Sequence, residues 1–185
     1  MARARFAGTL LGILLSVMAT MSLVAATTRT SQNQHFQKDG LTFDYGEKWE
    51  LSDQSNADAQ QLVLSEKGLD SQIMIVAVRK ALTTPKQEEQ AKAAIIEPGI
   101  NRLLKQYEDA GIKVSRNPLK IELSSAPAEG ARLQFQVDGS PGTTDIGWAV
   151  INRRLVQLFF IRPDKTSQDA SACWDLIRNS LKIES

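Results

Sequence analysis

The sequence predicts an α+β domain, an antiparallel sheet of six or seven strands carrying two main helices. Three observations predict it. Apolar and polar residues alternate with period two at residues 41–45 and again at 131–138, the pattern of half-buried strands. A long segment, 83–111, opens on Thr84-Pro85 and carries Ile100, Leu103, Leu104 and Tyr107 at helical spacing. The closing segment places Ala170, Cys173, Trp174, Ile177 and Leu181 at steps of 3, 1, 3 and 4, a single buried helix stripe.

The chain of 185 residues begins with a basic stretch, Arg3 and Arg5, ahead of an uncharged run from Phe6 to Ala26. That run ends in Val24 and Ala26, small residues suited to a secretory cleavage site, so residues 1–26 are expected to be a signal peptide cleaved after Ala26. No cysteine lies near the end of the run, which argues against a lipid anchor. Cleavage lowers Lys+Arg from 22 to 20 against 21 Asp+Glu, so the net charge moves from +1 to −1. A near-neutral domain lacks the basic stripe that nucleic acid requires and the polybasic handle that anionic lipid requires. No stable membrane span is expected once the signal is removed.

Residues 27–38 are polar and aperiodic and read as a flexible leader, with Phe36 alone out of character. The domain proper is expected at 39–185, long enough for one hydrophobic core. Its first strand, 41–45, turns inward Leu41, Phe43 and Tyr45, an edge strand from which Gly46 turns the chain into a connection holding Trp49 and Leu51. A second strand covers 61–65. The third, 73–78, is apolar on both alternating sets and belongs inside the sheet. Pro98-Gly99 is expected to interrupt or kink the long helix, and Gly111 to stop it. Four strands follow: one bent at Asn117-Pro118, one over 131–138, and a hairpin closing around residues 152–154 after the turn-rich stretch Gly-Ser-Pro-Gly-Thr-Thr. The two hairpin strands are the most apolar and belong at the sheet centre. Thr166 with Asp169 resembles a capping box for the closing helix.

The chemistry-bearing residues are few. The one histidine, His35, falls in the leader, where a catalytic geometry could not be held, so Ser-His and Cys-His hydrolysis are not expected. One His and one Cys do not make a zinc site, and no calcium loop or phosphate-cradling glycine motif occurs. Asp44, Glu47, Asp138 and Asp145 lie near strand ends or turns, where a carboxylate pair would suit a glycoside hydrolase; solvated turn acids are the simpler account. Cys173 sits in a buried stripe and reads as a core thiol. Trp148 and Trp174 read as core; Trp49, in a connection, stays a candidate for ligand contact.

The strand entering a Trp turn in Gly-Leu-Thr-Phe-Asp-Tyr-Gly-Glu-Lys-Trp, the element order, and Ser180 in the closing Ile-Arg-Asn-Ser-Leu-Lys-Ile together resemble the PsbP-like (PsbP/Mog-type) superfamily of α/β/α sandwiches. Many members carry Pro after the Tyr, where this chain has Gly46. The resemblance implies a non-catalytic binding or assembly factor, with no catalytic set to carry over; no cofactor is expected.

The polar surface is the remaining guide. Arg132, Gln134 and Gln136 share one strand face, and Lys120 with Glu122 is expected to share it from a neighbouring strand. The sequence therefore reads as an exported, periplasmic or extracellular factor that meets a protein partner of the cell envelope through Arg132, Gln134, Gln136 and Lys120, with Trp49 as a further contact. The alternatives are a carrier of a small apolar ligand near Trp49 and Tyr107, or a carboxylate-based hydrolase.

Overall fold

The computed structural model describes residues 33–124, 126–163 and 167–184. The expected signal peptide, residues 27–32 of the leader, and Thr166 lie outside the described residues.

The elements run β1 (Asn33–Lys38), β2 (Leu41–Gly46), β3 (Trp49–Asp53), β4 (Ala59–Glu66), β5 (Gln72–Val78), α1 (Pro85–Asp109), β6 (Val114–Leu123), β7 (Ala126–Val137), β8 (Ser140–Ile151), β9 (Arg154–Pro163), α2 (Gln168–Ser180) and β10 (Lys182–Ile183). They form an α+β fold with two antiparallel sheets, one of seven strands in the order β3-β4-β5-β9-β8-β7-β6 and one of three in the order β1-β2-β10.

Two expectations are corrected by this topology. Residues 33–38 are not a flexible leader: they pair along their whole length with β2, and Phe36 stacks on Phe43 at 5.0 Å between ring centroids. β2 is accordingly the middle strand of the small sheet rather than an edge of the large one. Trp49 is likewise not in a connection. It opens β3, because the Glu47-Lys48 step carries the chain directly from one sheet into the other.

Tight turns explain why the strands run longer than their alternation suggests. Asp39 and Gly40 have φ of 46° and 75°, and Asp138 and Gly139 have 50° and 78°. Each pair is the two-residue, left-handed loop whose twist matches that of the flanking strands. The second loop lets β8 begin at Ser140, so the Ser-Pro-Gly-Thr-Thr stretch enters the ladder instead of forming the expected connection. Gly40 has a second constraint, since a Cβ there would lie 2.7 Å from the Glu184 carbonyl oxygen. The expected hairpin between the last long strands closes through Asn152 and Arg153.

α1 runs unbroken through Pro98, so the expected interruption is absent. Its start is as expected, with the Thr84 side chain accepting from the Gln87 N–H, and Gly111 at φ 74° follows its end. β6 keeps its pairing through Pro118 because it is the outer strand, where a missing N–H need not be matched. At α2 the N-cap is Ser167, whose side chain accepts from the Ala170 N–H.

Strand pleating divides the apolar residues into two clusters. Ile73, Ile75 and Ala77 of β5 and Val156, Leu158 and Phe160 of β9 join Leu41, Phe43 and Trp49 with the α2 stripe Ala170, Cys173, Trp174, Ile177 and Leu181. Leu155 and Phe159 of β9 and Ile146 and Trp148 of β8 join Ile96 and Ile100 of α1. Alternate residues of one strand point to opposite faces, so α1 covers one face of the large sheet, and α2 with the small sheet covers the other.

Candidate functional site

Residues directly opposite in an antiparallel ladder share a face. In the large sheet Arg132 lies opposite Asp145, which lies opposite Phe160; one step along, Gln134 lies opposite Thr143, which lies opposite Arg162. These six side chains occupy the α2 face of the sheet.

Asp145 is the centre of the group. Its side chain is 5 % exposed and accepts three bonds: from Arg132 Nε at 2.6 Å, Arg132 Nη2 at 2.9 Å and Arg162 Nη2 at 2.8 Å. Charge-assisted, forked contacts of this kind are the strong class of hydrogen bond and compensate the burial of a carboxylate. The Arg132 guanidinium, hydrogen-bonded to Asp145, holds its proton more firmly than a free arginine. Arg162 is fixed from below as well: its guanidinium lies 4.9 Å over the Phe160 ring, which stacks at 5.2 Å on Trp174 of α2. Arg162 Nε is buried and has no hydrogen-bond partner among the described residues. An unmatched buried donor costs about 1–3 kcal/mol.

Gln134 and Gln136 are exposed, and the Gln134 carbonyl accepts from Asn117 Nδ2 at 3.1 Å. Both line a groove of about 690 Å³ together with Lys113, Ser115 and Phe135. Phe135 points to the opposite face and stacks on Tyr107 at 4.7 Å.

Lys120 does not join this group. It lies opposite Glu129, which lies opposite Trp148, and that row is on the α1 face. Glu129 accepts from Trp148 Nε1 at 3.2 Å and pairs with Lys92 of α1 at 3.6 Å. Glu122 follows Lys120 on the same face by the two-residue period. Lys120 instead borders a second groove, of about 860 Å³, with Leu119, Ile121, Ala128 and Trp148. Trp49 is 2 % exposed and belongs to the α2-side cluster, so it offers a ligand no surface. Trp49 and Tyr107 lie on opposite faces of the sheet and cannot line one ligand pocket.

The four acids considered for hydrolysis stand in unlike settings. Asp145 is held by its arginines, Asp138 occupies a left-handed turn position, Glu47 lies in the turn between the sheets, and Asp44 accepts from His35. His35 is fixed on β1 opposite Asp44 with Nδ1 2.7 Å from Asp44 Oδ1, which corrects its expected place on a floppy leader. Ser180 lies close by, yet its Oγ donates to the Leu176 carbonyl at 2.7 Å and accepts from the Asp44 N–H at 2.8 Å. The hydroxyl proton goes to the helix and not to the imidazole, so these residues do not form a nucleophile and base. Cys173 is 3 % exposed, and burial pushes its thiol up to about 11. Among the described residues no three His, Cys, Asp or Glu side chains converge to hold a metal ion, and no helix is long and apolar enough to cross a membrane.

Sequence reasoning found Arg132, Gln134 and Gln136 but missed Arg162, and it weighed Asp145 as an acid rather than as an anchor. The available signal was opposite charge, Arg132 and Asp145, on two neighbouring strands.

Fold and site together define an antiparallel α+β protein with an arginine-bearing polar face. No family model and no curated protein matches the chain. Solved structures do. The chain is similar to the solution structure of cyanobacterial PsbP (CyanoP) from Synechocystis sp. PCC 6803, at 10% identity and a TM-score of 0.52, covering 85% of this chain and 95% of that one. It is also similar to a crystal structure from Bacteroides thetaiotaomicron VPI-5482, at 12% identity and a TM-score of 0.54. That match covers 83% of this chain and 49% of the other, so the chain spans about half the length of the Bacteroides protein. The fold is PsbP-like.

Proposed function

We propose that this chain is an exported, non-catalytic binding or assembly factor that acts through protein–protein contacts in the cell envelope. The observation that carries the reading is the α2-side face of β7, β8 and β9. There Arg132 is held in place by a buried carboxylate, while the exposed Gln134 and Gln136 project beside an open groove. Long polar side chains on a rigid sheet suit recognition, because little conformational freedom is lost when a partner docks.

In the finer reading, residues 1–26 direct export and are removed after Ala26, leaving the factor in the periplasm or medium. The layers form an α/β/α sandwich, and α1 bends at Pro98, where the ring costs the helix one backbone bond. The charge balance of the sequence supports a protein partner over nucleic acid.

The test places negative charge on exposed residues. Gln134→Glu with Gln136→Glu is expected to release the partner captured with the wild-type chain, whereas Lys120→Glu, on the opposite face, is expected to retain it. Equal retention by both variants would overturn the assignment. The apolar side chains Leu119, Ile121 and Trp148 around the second groove favour a carrier role as the alternative. Native mass spectrometry of the purified chain decides that point: a bound lipid-sized mass supports the carrier, and a bare mass removes it.

A further inference from the structure

We infer that Arg132 and Arg162 form a receptor for a single carboxylate, supplied by an Asp or Glu side chain of the protein partner. This deepens the binding-factor reading and rests on it.

Charge is the first argument. Two guanidiniums surround one carboxylate, so the group carries a net positive charge that Asp145 does not cancel. One further negative charge neutralises it; a doubly charged phosphate would leave an excess of the other sign.

Donor capacity is the second. A guanidinium has five N–H bonds in a planar fork, so the pair presents ten, of which three meet Asp145. Arg132 Nη1 and Arg162 Nη1 take no part in those three bonds. Flat forks of N–H groups match the paired oxygens of a carboxylate.

Preorganisation is the third. Asp145, itself buried, holds both arginines, and the Phe160–Trp174 stack supports Arg162 from beneath. An acid arriving from solvent therefore meets a site already assembled, over the Arg132 side chain, which is 40% exposed. Gln134 lies one step along the same face and extends the contact to the peptide that bears the acid.

The experiment is a titration of the ¹⁵N-labelled full chain, reading the Nε–H resonances of Arg132 and Arg162. The probes are acetyl-Gly-Glu-Gly-amide, acetyl-Gly-Gln-Gly-amide and inorganic phosphate. The Glu peptide is expected to move both resonances in a saturable way and the Gln peptide to leave them in place. Arg162→Lys keeps the charge but loses the fork, and is expected to weaken the Glu peptide by about tenfold. If that variant does not fold, Arg132→Lys gives the same reading. No movement with the Glu peptide, an equal response to the Gln peptide, or tighter binding of phosphate would each overturn the carboxylate receptor. Failure here is separable from failure of the binding-factor reading: release of the partner by Gln134→Glu with Gln136→Glu stands or falls independently of the peptide result.

Discussion

Arg132 grips Asp145 from the neighbouring strand through two bonds of 2.6 and 2.9 Å, and Arg162 on the other side shares Oδ2 with it. The buried carboxylate therefore has two cationic partners. Removing either arginine leaves one in place, whereas removing both leaves an uncompensated buried charge. Arg132→Gln and Arg162→Gln are each expected to cost about 1–2 kcal/mol, the worth of hydrogen bonds to a charged group. The double variant is expected to cost about 3–5 kcal/mol, more than the two singles together. Urea unfolding of the four proteins measures the coupling, and strict additivity would show that the arginines do not share the acid.

Two glycines in the neighbouring row separate rigid from yielding contacts. A Cβ on Gly130 would lie 2.6 Å from the Ile146 carbonyl oxygen and 3.0 Å from that of Leu119, both main-chain atoms within the ladder. At Gly147 the obstacle is Ile121 Cδ1, at 2.0 Å, the end of a movable side chain. Gly130→Ala is expected to destabilise by about 1–3 kcal/mol or more, and Gly147→Ala by less. Ile121→Val, which deletes that methyl group, is expected to relieve the second change and not the first in thermal unfolding.

Ser180 joins the last turn of α2 to the small sheet. Its Oγ accepts from the Asp44 N–H at 2.8 Å while donating to the Leu176 carbonyl at 2.7 Å. Ser180→Ala leaves the Asp44 donor unmatched in a part-buried setting, which is expected to cost about 1–2 kcal/mol. Amide hydrogen exchange gives the direct reading: the Asp44 N–H should exchange faster in the variant, with β4 and β5 unchanged.

Cys173 gives a pH signature. Burial raises its thiol from an ordinary value of 9.0 to about 11, and burial raises the Tyr45 hydroxyl in the same direction. The unfolded chain gives up the Cys173 proton before the folded one does. The thiol's contribution is therefore full below about pH 9 and is lost as pH rises toward 11, about 2–3 kcal/mol in all. Stability measured across that window should fall less steeply in Cys173→Ala. An unchanged slope would mean that the thiol is neutral in neither state or both.

Much of the fold was legible because it rests on local patterns. Residues 131–138 alternate as a half-buried strand should, the α2 stripe recurs at helical steps, and Thr84-Pro85 opens α1 as a helix start should. The misses depend on pairing between distant residues. β1 carries one apolar residue, Phe36, in six, because an exposed outer strand is held mainly by its ladder to β2, which composition does not encode. Trp49 looked like part of a connection because the chain changes sheets within two residues. Lys120 seemed to share a surface with Arg132, but only the register of β6 against β7 reveals the opposite faces. Arg162 was hidden at the end of an apolar strand, since nothing local marks it as the partner of an acid seventeen residues earlier.

The measurement that tests the central claim most directly is site-specific photo-crosslinking in the native envelope. A photoreactive residue would replace Gln134, Gln136, Lys120 or the exposed Leu69 in turn. The account predicts one crosslinked protein partner from positions 134 and 136, and none from 120 or 69. A partner captured equally from 120, or captured from 120 alone, would contradict it.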